Sequence, residues 1–113
     1  MTWASHHIEK LKRGEAVKFR PHGNSMTGLI ESGQLVTVVP CSPRGNVAAY
    51  DHEGFTAYVQ VGAAVLCKVG KSVLVHKVTD YRAGQYQISN NRGHVNGWTM
   101  ARNIYGIVTL VEP

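Results

Sequence analysis

Gly23-Asn24-Ser25-Met26-Thr27-Gly28-Leu29-Ile30, running into Glu31-Ser32-Gly33-Gln34 and the apolar Leu35-Val36-Thr37-Val38-Val39, organises the reading of this chain. The Gly-Asn pair favours a tight turn, because both residues accept backbone angles that others resist. That turn presents Ser25. Met26 to Ile30 suits one helical turn, Gly33 a second reversal, and Leu35 to Val39 a buried strand. A serine so placed has two uses. It caps the short turn behind it, or it is a nucleophile, provided that a base reaches its hydroxyl.

Working outward, residues 3–13 place Trp3, His7, Ile8 and Leu11 on one helical face, with Lys10, Lys12 and Arg13 outside it. Gly14 reads as the helix stop. Such a helix either covers the domain's own sheet or packs over a substrate groove. Ala16 to Arg20 alternates apolar and basic residues, as a half-buried strand does, and Pro21 ends it. Downstream, Pro40 to Asn46 and Asp51 to Gly54 are turn chemistry around a strand-loop-strand excursion, with apolar pieces at Val47 to Tyr50 and Phe55 to Val61. Gly62 opens the strand Ala63 to Val69, and Gly70-Lys71 makes a two-residue hairpin turn into Ser72 to Val78. Arg82-Ala83-Gly84 turns into the strand Gln85 to Ile88. Ser89 to Gly93 and Asn96-Gly97 read as turns, and Ile104 to Val111 closes the chain. Many short strands between regular turn signals predict one mostly β domain over 1–113, a strongly bent sheet or partial barrel. A helical segment at 1–14 precedes a β core at 15–113.

Composition narrows the classes. Hydrophobic residues make up 43% and charged residues 17% of the 113, as in an ordinary globular domain. No apolar run approaches the roughly 20 residues that cross a bilayer, and the N-terminus lacks the apolar core of a signal peptide. The expectation is a soluble, cytoplasmic protein. Cys41 and Cys67 have no CxxC spacing and form no disulfide framework. The net charge of +5 leaves nucleic acid as a weakly supported partner, through Lys10, Lys12, Arg13 and Arg20. Six histidines show no HExxH-type spacing, so no metal and no cofactor is expected.

The second informative element is the hairpin from Gly62 to Val78. In its return strand, alternation puts Leu74, His76 and Val78 on one face and Val73, Val75 and Lys77 on the other. A histidine between two apolar neighbours suits a general base, or equally a half-buried ring bonded to a nearby carbonyl.

Taken together, these stretches resemble the serine peptidases of the LexA and signal-peptidase type. Gly23-Asn24-Ser25-Met26 with Gly33-Gln34-Leu35-Val36 is similar to that superfamily's nucleophile box. Gly62 to Val69 resembles its next strand, and Val73 to Val78 resembles the box that carries the base, with His76 where many members have lysine. Ile88-Ser89-Asn90-Asn91 and Tyr105 to Val108 resemble its last two boxes. The resemblance covers nearly everything after Phe19. It implies the family's bent β fold, Ser25 as nucleophile, His76 as base, and the Gly23–Asn24 turn as oxyanion donor. Asn90, with Asn91 beside it, stands where histidine-type members have an orienting aspartate, and Asp80 is a further candidate nearby in sequence. Gly28 replaces the family's proline, and Gln34 and Ala63 replace its acidic residues. No counterpart is expected of the membrane anchor of signal peptidases or of the DNA-binding domain of LexA repressors. The implied activity is a small soluble serine endopeptidase that cuts beside small residues in a peptide or protein. The alternative is the same fold without catalysis, capturing a peptide by strand addition.

Overall fold

The computed structural model describes residues 3–42, 48–50 and 56–113. The chain begins with α1 (Ser5–Lys12), then β1 (Val17–Phe19), β2 (Leu35–Ser42), β3 (Ala48–Tyr50), β4 (Thr56–Tyr58), β5 (Ala64–Val69), β6 (Ser72–Arg82), β7 (Gln85–Ser89), β8 (Val95–Met100), a short 3-10 turn (Ala101–Asn103) and β9 (Ile104–Glu112). The domain is mostly β, as the turn spacing implies. All pairings are antiparallel, in the order β4-β3-β2-β9-β5-β6-β7-β8, with β1 beside β2. The turn-prone stretches within 43–47 and 51–55 lie outside the described residues, but the excursion itself is there as the β3–β4 pair.

Apolar runs such as Leu35–Val39 arise because the central strands are buried on both faces. Val39, Val65, Cys67, Val78, Tyr86, Ile88, Ile104 and Ile107 form one core, and Val36, Val38, Leu66 and Val75 join Leu11, Val17, Met26 and Ile30 in a second. The sheet must curl to enclose the first. β8 swings back to β5, where the Thr99 hydroxyl donates to the Lys68 carbonyl at 2.6 Å. The second core lies beneath α1 and the Ser25 turn. Gly106 lets these layers approach: a Cβ there would sit 2.5 Å from Val38 Cγ1, 2.7 Å from the Val39 carbonyl and 3.2 Å from Leu11 Cδ2.

Bends in the ladder come from β-bulges, which insert one residue and re-aim side chains. In the β7–β8 pair, Ile88 faces Gly97 but Ser89 faces Val95, so Asn96 is the extra residue. The Asn96-Gly97 pair therefore lies inside a strand, not in the turn that its composition suggests. An isolated glycine in a strand pattern is the sequence signal of such a bulge.

Candidate active site

The loop between β1 and β2 shapes the serine. Met26 and Ile30, four residues apart, both plunge into the second core, and the Ile30 N–H closes one helical turn on the Met26 carbonyl at 2.8 Å. The Gly33 N–H donates to the Pro21 carbonyl at 2.9 Å, and an Arg20 guanidinium nitrogen to the Gly33 carbonyl at 2.8 Å, which fixes the mouth of the loop. Ser25 then sits at the rim of the sheet, half-buried.

A second set of contacts ties the turn to the far end of β7. The Asn91 N–H donates to the Ser25 carbonyl at 2.7 Å, and its side-chain amide donates to the Thr27 carbonyl at 2.8 Å. Lys77 Nζ in turn donates to Asn91 Oδ1 at 2.8 Å. Gly28 belongs to this clamp. Its φ is +101°, and a Cβ would come within 2.9 Å of the Asn91 amide nitrogen. The proline of the resembling family would also fix φ near −65° here, which this turn does not use.

His76 comes from β6, where Val65 faces it across the ladder. The ring is 7% exposed, with Nε2 at 3.1 Å from Ser25 Oγ and Nδ1 at 2.6 Å from Asn96 Oδ1. An amide oxygen only accepts, so Nδ1 carries the proton and the Nε2 lone pair faces the serine hydroxyl. Burial pushes the His76 pKa below the ordinary 6.5, the hydrogen bond to Asn96 opposes that, and His94 adds a further lowering. The imidazole is thus neutral at pH 7, the form able to take a proton.

Two sequence expectations need correction. Asn90, expected to orient the ring, spends its side-chain oxygen on the N–H groups of Arg92 and His94 at 2.8 and 2.9 Å, closing its own loop. Asn96 stands at His76 instead. Gly23, expected among the oxyanion donors, gives its N–H to Ser32 Oγ at 3.1 Å. Among the described residues, no hydrogen bond engages the N–H of Asn24 or Ser25. Asp80 holds Arg82 Nε and the Tyr81 N–H and takes no part at His76.

Ser25 and His76 open into a cleft of about 500 Å³. One wall is β6 at Val73, Leu74 and Val75, and the other is Phe19 to Gly23. β7 pairs with β6 only from Lys77 onward, so among the described residues the Ser72–His76 edge away from β5 has no strand partner. Of the basic residues named from the sequence, Arg13 pairs with Glu15 at 2.8 Å, Lys12 lies over the Tyr105 ring at 5.9 Å and Arg20 donates to the Gly33 carbonyl. Among the described residues, no three metal-binding side chains gather, and no helix is long and apolar enough to cross a membrane. No family model, no curated protein and no solved structure matches this chain.

Proposed function

We propose that this protein is a serine peptidase of the LexA and signal-peptidase type, using a Ser25–His76–Asn96 site on an extended peptide. The observation that carries the reading is the Ser25–His76–Asn96 relay of hydrogen bonds at 3.1 and 2.6 Å, drawn from three separate elements. A hydroxyl, an imidazole and a third group on the ring's other nitrogen form the constellation by which a serine triad is recognised.

In this mechanism His76 Nε2 takes the Ser25 proton as Oγ attacks the scissile carbonyl. In this reading the N–H groups of Ser25 and Asn24, which no described residue engages, serve the oxygen where negative charge develops. Collapse of the tetrahedral adduct breaks the C–N bond, and the proton on Nε2 passes to the leaving amine. Water, deprotonated by the same nitrogen, then releases the acyl group and restores Ser25. Asn96 keeps Nδ1 protonated throughout. It steadies the imidazolium less than a carboxylate would, because it brings a dipole and no charge. The free edge of β6 supports an extended peptide as substrate, since a strand added there satisfies its backbone groups along the cleft.

A fluorophosphonate probe tests this. The wild-type protein is expected to gain one adduct at Ser25 by intact mass, and Ser25→Ala and His76→Ala are expected to gain none. A folded protein that binds peptide but never labels would instead be a peptide-capture module.

A further inference from the structure

The cleft continues past the β6 edge onto three aromatic rings, from Trp3 just ahead of α1, His7 of α1 and Phe19 of β1. His7 stacks on Phe19 with centroids 4.7 Å apart and planes at 26°, and Trp3 meets Phe19 edge-on at 5.5 Å. Trp3, His7 and Phe19 line the same cleft as Ser25 and His76. The helix is anchored without the indole. Ala4 and Leu11 are its buried contacts with the second core, whereas Trp3 stays 56% exposed. A large aromatic ring contributes to folding by leaving water, and this one remains largely in it, on the wall of a cleft.

Alternate residues of a peptide on the β6 edge point the same way, about 6.8 Å apart. A side chain therefore arrives beside this wall at a fixed distance in sequence from the bond at Ser25. We infer that the Trp3–His7–Phe19 wall is a subsite for an aromatic side chain of that extended peptide. The inference rests on the peptide-groove reading of the site. Ring edges and faces favour an aromatic over an aliphatic side chain beyond the area buried, by about three- to tenfold in affinity. A lysine or arginine would also be drawn to the indole. However, Arg20 and His22 line the same cleft, and Glu31 there accepts from the Gly28 N–H. That bond leaves the Glu31 carboxylate charged, but Arg20 in the same lining balances it, so a cationic side chain gains no net attraction there.

The test uses the full chain carrying Ser25→Ala, so that peptides bind without being cut. Fluorescein-labelled alanine-rich octapeptides, with one phenylalanine moved position by position, are titrated by anisotropy. One position is expected to bind about three- to tenfold more tightly than the all-alanine parent. Trp3→Ala should abolish that gain, Trp3→Phe should restore most of it, and Met100→Ala, outside the cleft, should leave it intact. With Trp98→Phe added, Trp3 is the one remaining indole, and its emission should shift for that phenylalanine peptide alone. The inference is overturned by a gain that survives Trp3→Ala, by leucine binding as well as phenylalanine, or by no positional preference, total failure to bind included. Fluorophosphonate labelling of the Ser25-intact protein judges the hydrolase reading separately. Labelling without a phenylalanine preference removes only the subsite, and the preference without labelling removes only the hydrolase.

Discussion

Ser25 and His76 approach within 3.1 Å of each other, yet two different kinds of structure hold them. His76 rides on β6, within the Ser72–Lys77 stretch paired with β5 and flanked by the cores, so its backbone is fixed by a ladder shared among many residues. Ser25 rides on a turn without a ladder. Its position depends on two buried anchors, Met26 and Ile30, and on the few bonds that run through Asn91. A ladder spreads the loss of one contact over its neighbours, whereas a clamp of three hydrogen bonds does not. The half of the site most easily displaced should therefore be the serine's half.

Gly28→Ala should produce the largest effect. It forces a left-handed φ on a residue with a Cβ and pushes that Cβ into the Asn91 amide, at a cost of about 1–3 kcal/mol in stability. Displacing Ser25 by about 1 Å should slow fluorophosphonate labelling on the order of a hundredfold. Urea unfolding and labelling rates on one sample separate the two losses. Asn91→Ala should come next. It removes the clamp's side-chain bonds but keeps its N–H on Ser25, and labelling should fall about tenfold with His76 still titrating as in the wild type. If Asn91→Ala left the labelling rate unchanged while Gly28→Ala abolished folding, the clamp would be a stability device and the contrast would fail.

On the strand side, the sharper probe is charge. Asn96→Asp places a carboxylate at Nδ1, which stabilises the imidazolium and should move the His76 pKa upward. In the wild type the labelling rate should rise with pH through a midpoint below 6.5, since burial lowers His76 and the proposed mechanism uses the neutral ring as base. Asn96→Asp should carry that acid limb to higher pH without changing the Ser25 turn. Two-dimensional NMR of the imidazole reads the shift directly. The same lowering has a consequence for folding. The unfolded chain binds a proton near 6.5 more readily than the folded one, so stability from this group is full above 6.5 and is lost as pH falls through the folded value. His94→Asn should give the smallest change, a slight upward move of the same limb, because His94 is only a further contributor to the lowering.

How much of this was legible beforehand follows the same division. The hairpin strands expected over Ala63–Val69 and Ser72–Val78 and the Gly70-Lys71 turn are local in origin, since a two-residue glycine turn and alternating β-branched residues specify them. The run of β6 on to Arg82, by contrast, comes with its pairing to β7. The one-turn geometry of Met26 to Ile30 is local as well. The third member of the site was not. Asn90 and Asn96 are both asparagines beside turn-forming residues, and only the β8 bulge, with the curl that returns β8 to β5, decides which one faces the imidazole. The role of Asn91 was hidden for a related reason. It lies more than sixty positions from the Thr27 that it holds, and no local pattern encodes such a bond.

By itself, then, the sequence determined a β-rich domain, a serine at a turn tip and a histidine in an apolar strand, because turn chemistry and hydrophobic period act over a few residues. The tertiary structure decided which asparagine orients the ring, which N–H groups are spent inside the turn, and that α1 adds an aromatic wall to the cleft. Those outcomes depend on sheet curvature and on bonds between distant segments, and curvature is a property of the assembled ladder, with its bulges, that no single strand carries.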